Sequence, residues 1–136
     1  MTKPPYLSEY QAGYVHRSGE KVRSFEGGAT RDSDAGKLDF EGFLSPAVLW
    51  AFAEYMQKHR IQSDGSVRGS DNWQNGMPKS VYVKSLLRHV FDLWMLHRDE
   101  KPVRPENGEP AELADTLGGI LFNLQGYWLE TLREQA

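Results

Sequence analysis

Four polar side chains at helical spacing form the densest chemistry in the chain. Ser85, Arg88, His89 and Asp92 fall at i, i+3, i+4 and i+7 and so share one side of a helix. A cation and a carboxylate on such a face can address an anionic ligand and its metal ion. An exposed Arg88–Asp92 pair on a solvated helix explains the same spacing. A second acidic pair, Glu112 and Asp115, lies three residues apart, about 60° around a helix axis. Hard oxygens preassembled in this way suit Mg²⁺, which leaves its remaining positions to water and phosphate. Two acids in a first helical turn are also favoured by the helix dipole alone. Upstream, Asp71-Asn72-Trp73-Gln74-Asn75-Gly76-Met77-Pro78 is a polar turn with a tryptophan that must pack down or stack on something. Backbone N–H groups of the glycine-rich stretch 27–42, beside Thr30, Arg31 and Lys37, can cradle a phosphate, although the stretch is not a P-loop and its pattern alone favours a surface loop.

Three helices must position these groups. Ser45-Pro46 is a start signal, and Val48, Leu49, Phe52, Tyr55 and Met56 give an apolar stripe to about His59, with Glu54 off that stripe. A second helix is expected over 79–98, with Val83, Leu86, Leu87, Val90, Trp94 and His97 as its core side. A third is expected over 110–133, with Leu113, Leu117, Ile120, Leu121, Leu124, Trp128 and Leu132 inward. Gly118-Gly119 within it costs about 1 kcal/mol per residue relative to alanine, so a close neighbour should compensate. Residues 1–26 read as an irregular arm with at most one short strand near 21–25, residues 60–78 as a long loop, and 101–108 as the least ordered connection. The expected architecture is all-α: an arm at 1–26, then one small helical domain at 27–136.

Composition narrows the function classes. A net charge of −3 argues against a general binder of nucleic-acid polymers, which needs a basic surface. The chain has no cysteine, which removes disulfides and thiolate metal sites. No apolar run approaches the roughly 20 residues of a membrane span, and the first residues lack the apolar core of a signal peptide, so a cytoplasmic location is expected. Three helices make a small core for 136 residues, and pairing with further copies into a homo-oligomer is a natural way to complete it.

The run Gly28-Ala29-Thr30-Arg31-Asp32, Gly36-Lys37-Leu38-Asp39-Phe40, Leu44-Ser45-Pro46, Asn72-Trp73-Gln74-Asn75-Gly76-Met77-Pro78 and Ser85-Leu86-Leu87-Arg88-His89 resembles the phage dATP/dGTP diphosphohydrolase (N-terminal domain) family over roughly residues 27–130. That family is similar to the all-α nucleotide pyrophosphohydrolases of the MazG kind. The resemblance implies an oligomeric helix bundle in the cytoplasm of a phage-infected host, in which carboxylates hold Mg²⁺ or Mn²⁺ and water attacks the α–β phosphoanhydride of a (d)NTP. The ExxD half of the MazG pattern stands here as Glu112-Leu113-Ala114-Asp115, and Asn123 occupies a position where relatives often carry Asn. The other acidic half reads Arg88-His89-Val90-Phe91-Asp92, with only Asp92 acidic.

Two functions from different classes follow. In the first, Asp92, Glu112 and Asp115 hold metal, Arg88 and Lys37 neutralise phosphate, Trp73 stacks on the base, Asn72 reads its edge and His89 positions water or phosphate, giving (d)NMP and pyrophosphate. In the second, the weakened carboxylate set leaves a non-catalytic protein that sequesters a nucleotide or a cyclic-nucleotide defence signal. A structural accessory protein without a ligand is the bland third.

Overall fold

A computed structural model describes residues 22–103 and 108–136. Residues 1–21, most of the expected arm, and 104–107, within the connection expected to be least ordered, lie outside the described residues. Helix makes up 57% of the structure, far above the third typical of soluble domains, so the protein is mainly α-helical. Among the described residues no helix is long and apolar enough to cross a membrane. The described residues divide into two compact units, 22–44 with 135–136 and 45–134.

The first unit holds a two-stranded antiparallel hairpin, β1 (Arg23–Ser24) with β2 (Thr30–Arg31), in which Arg23 faces Arg31 and Ser24 faces Thr30. Gly28, at φ +85°, makes the turn. A short helix, α1 (Phe40–Phe43), follows, and the Asp39 carboxylate caps it by accepting from the Gly42 N–H at 2.9 Å. The glycine-rich stretch is therefore partly ordered, as a β2 strand and a helical turn.

The second unit contains α2 (Pro46–Lys58), α3 (Lys79–His97) and α4 (Leu113–Gln135). Ser45 caps α2 by accepting from the Val48 N–H at 3.2 Å, and Pro46 occupies the first turn. The expected loop at 60–78 is not structureless. Ile61 and Val67 bridge around a turn at Asp64-Gly65, and Asn72–Asn75 forms a 3₁₀ turn. The third helix begins at Leu113 and not at Pro110, because Pro110 bridges back to Val103 and Ala111 N–H donates to the Pro102 carbonyl at 2.8 Å.

The glycines of α4 explain the packing. A Cβ at Gly118 would run into the Tyr55 ring of α2, one at Gly119 would lie 2.7 Å from His89 Nε2 of α3, and one at Gly126 would run into the Tyr82 ring of α3. Between the last two, Asn123 Nδ2 donates to Ser85 Oγ at 3.2 Å and to the Gly119 carbonyl at 2.7 Å. The descending order of these pairs, 82 with 126, 85 with 123 and 89 with 119, makes α3 and α4 antiparallel.

Most of the expected core stripes face solvent. Val83, Leu87, Val90 and Trp94 on α3 and Leu113, Leu117, Leu121, Leu124 and Trp128 on α4 are all exposed, whereas Tyr82 and Leu129 are buried. Small and polar residues took the helix contact because they let the backbones approach, and the larger apolar side chains were turned outward.

Gly126→Ala tests this arrangement. Alanine favours an isolated helix by about 1 kcal/mol, but the added methyl must displace the Tyr82 ring, so a net loss of about 1–3 kcal/mol is expected in urea unfolding. A stabilised variant would show that the ring moves aside freely.

Candidate functional site

A cavity of about 460 Å³ opens between α2, the segment 60–73 and α4. Phe52, Tyr55 and Met56 line it from α2, Trp73 from the 3₁₀ turn and Phe122 from α4. Helical spacing puts 52, 55, 56 and 59 on one side of α2. Phe52 and Tyr55 stack with centroids 6.3 Å apart, and Tyr55 lies 4.3 Å from the His59 ring. Gly118 permits this, since the Tyr55 ring occupies the place of its missing side chain.

The Trp73 wall is fastened to the end of α4. Arg133 donates from Nη2 to the Gln74 carbonyl at 2.6 Å and from Nη1 to Glu130 at 3.1 Å. Gly76, at φ +79°, has no side chain because Glu130 and Arg133 Nη1 stand where one would go. Lys79 reaches Glu134 at 2.7 Å, and that contact raises the Lys79 pKa.

The polar rim carries two guanidinium groups. Arg60 Nε donates to the Arg68 carbonyl at 2.8 Å and its Nη1 to Gln57 Oε1 at 3.3 Å, so Arg60 is fixed in place. Arg68 has no ion-pair partner among the described residues and keeps its charge available. Gln57, His59, Asn72 and Gln125 complete the polar lining.

Asp115 sits beside this cavity in a cluster with two α2 side chains. Lys58 Nζ donates to both of its oxygens at 2.9 Å, and His59 Nε2 lies 3.6 Å from Oδ1. Burial is the largest single influence on the Asp115 carboxyl and pushes its pKa up. The Lys58 hydrogen bonds and charge, helped by His59, together outweigh burial and hold it below the usual range. The same hydrogen bond, with the Asp115 charge, raises Lys58.

The residues expected to act are distributed as follows. Asn72 and Trp73 line the cavity. Asp92 is buried on α3, and His89 is half-buried against Gly119. Asn123 is buried and spends its amide N–H groups on Ser85 and Gly119. Arg88 is exposed. Glu112 is exposed just before α4, where its carbonyl accepts from Thr116. Arg31 and Lys37 belong to the first unit, Arg31 on β2 and Lys37 in a turn closed on Asp34.

Whether the carboxylates suit Mg²⁺ or Mn²⁺ turns on Asp115. Both its oxygens already face an internal ammonium, and among the described residues no three His, Asp or Glu side chains gather as a metal-binding group. In this arrangement the donor set does not fit the metal, so no catalytic step is routed through one.

Sequence reasoning missed Tyr55, His59, Arg60 and Arg68. A signal for the arginines exists: Asp64-Gly65 is a turn dipeptide between Ile61 and Val67, which places residues 60 and 68 side by side.

The Asp115 link has a defined pH window. Its folded pKa is lowered, so its contribution is complete above the unfolded value of about 3.9 and is lost as pH falls through the folded value. Lys58 is raised, so its contribution is complete below about 10.4 and is lost above its folded value. The Asp115 carboxyl resonance should titrate below the ordinary aspartate range and move up in Lys58→Met, with the stability gap between the proteins closing at acid pH. An Asp115 that titrates normally in the intact protein would deny the link. Comparison of the chain with protein-family models, curated proteins and solved structures returns no match.

Proposed function

We propose that the chain binds a nucleotide in the cavity between α2, the 60–73 segment and α4. The observation that carries this reading is an aromatic-walled cavity of about 460 Å³ with two arginines on its rim, one of them without a carboxylate partner among the described residues. The volume suits a small-molecule ligand. The Trp73 indole supplies a face for the base, the Asn72 amide can read its edge, and Arg60 and Arg68 meet the phosphates with forked donors. A purine is favoured by the family resemblance and by its larger π face. The protein acts as a homo-oligomer.

A second reading, conversion of a (d)NTP to (d)NMP and pyrophosphate, is favoured by one contact: His59 lines the cavity with the Asp115 carboxylate behind it. A carboxylate that orients an imidazole is an arrangement suited to general-base work. Mg²⁺ or Mn²⁺ would require an arrangement in which Lys58 has left the Asp115 carboxylate. Asp92 and Glu112 would then have to complete the metal's shell. Without turnover, the same cavity sequesters a nucleotide or a cyclic-nucleotide signal.

Calorimetry with dATP and dGTP, with and without Mg²⁺ or Mn²⁺, alongside pyrophosphate release, separates the readings. Trp73→Ala should weaken binding by about 1–3 kcal/mol, the worth of base–aromatic stacking, and Arg68→Ala should weaken triphosphates more than nucleosides. Product formation that Asp115→Ala abolishes marks an enzyme, and binding without product marks a sequestering protein. If no nucleotide binds, the cavity reading fails.

A further inference from the structure

α4 meets its neighbours on two adjacent sides. Gly119, Asn123 and Gly126 face α3, and Gly118 faces Tyr55 of α2. About 110° round from the α3 contact, on the side away from α2, stand Leu117, Ile120, Leu124 and Tyr127. Their spacing is 3, 4, 3. α3 carries the same pattern in Val83, Leu86, Val90 and Leu93, about 90° round from its own contact residues and in the same sense. On antiparallel helices an equal turn brings both rows to one side of the pair. That side lies opposite α2.

The rows are open to solvent. Val83, Val90, Leu117, Leu124 and Tyr127 are 37–45% exposed, Leu86, Leu93 and Ile120 are half-buried, and Trp94 and Trp128 at the outer edges are 60% and 68% exposed. A 3-4-3 apolar row is the seam by which helices pack into bundles. Here two such seams lie side by side without a charged residue in either.

We propose that two copies of this chain pack this α3–α4 face against itself about a twofold axis, forming a four-helix layer with α2 and its cavity on the outside of each copy. The occupant is a second copy because the face is self-complementary: its rows have equal length, about 16 Å, and equal spacing. With the flanking tryptophans it offers apolar area on the order of 800 Å², one partner's share of a standard interface. Lone monomers rarely expose a patch of that size. Charge is confined to one end of the face, where Lys79 lies over the Tyr127 ring at 5.1 Å and is already paired with Glu134, so a charged partner finds little to recognise. The inference stands whatever the cavity holds.

Sedimentation of the full-length chain tests it. A mass near twice 15.5 kDa is expected. Leu124→Glu should weaken association at least tenfold, and Lys84→Glu, on the far side of α3, should leave it unchanged. A monomer throughout the micromolar range overturns the proposal, as does unaltered association in folded Leu124→Glu. Should that variant fail to fold, acrylamide quenching of Trp94 and Trp128 in a Trp50→Phe, Trp73→Phe background decides. Shielding that grows with protein concentration supports self-pairing. Shielding independent of concentration means the chain's own residues cover the face, and the proposal falls.

Discussion

Much of the second unit depends on α4 having no side chain at Gly118, Gly119 and Gly126. Each glycine weakens a helix of 23 residues by about 1 kcal/mol, and each is matched by a ring of a neighbouring helix lying on the exposed backbone. The Tyr55 contact at Gly118 fixes register as well as distance. Three residues on from Tyr55 is Lys58, and three back from Gly118 is Asp115, so one ring seated on one glycine brings the ammonium to the carboxylate. Tyr82 does the same at the other end, where its ring meets Gly126 and Phe122.

The consequence for chemistry is a separation of roles within the second unit. The polar side of α3, expected to face a ligand, instead supplies the helix contact through Ser85 and His89, with Asp92 buried on the same side. The cavity forms on the α2 side of α4, where aromatic rings meet Arg60 and Arg68. Asp115 stands at the junction, joined to α2 through Lys58 and to the cavity lining through His59.

Much of the fold was legible because its signals are local. Ser45-Pro46 marked the start of α2, and Lys79–His97 follows from apolar periodicity within a residue of its expected end. Periodicity shows which residues share a face and is silent on whether that face is covered. Leu87, Trp94, Leu117 and Trp128 therefore read as core and lie exposed, while Ser85, His89 and Asn123, read as ligand-facing, lie between helices. The cavity was half legible. Trp73 in a polar turn announced a packing site, but the Lys58–Asp115 pair spans 57 residues and leaves no trace in local sequence. The start of α4 was misplaced because Pro110 suits a first helical turn as well as it suits the bridge to Val103 that it makes.

The hydrogen bond from Arg133 to the Gln74 carbonyl joins positions 59 residues apart. Helix ends fray and re-form far more often than helix middles. Arg133 and Glu134, on which the Trp73 wall is moored, lie in the last turn of α4. The cavity wall is thus moored to a helix end and not to a helix middle. When that last turn unwinds, the indole loses its anchorage, so opening of the cavity is coupled to the end of one helix and not to the opening of a core.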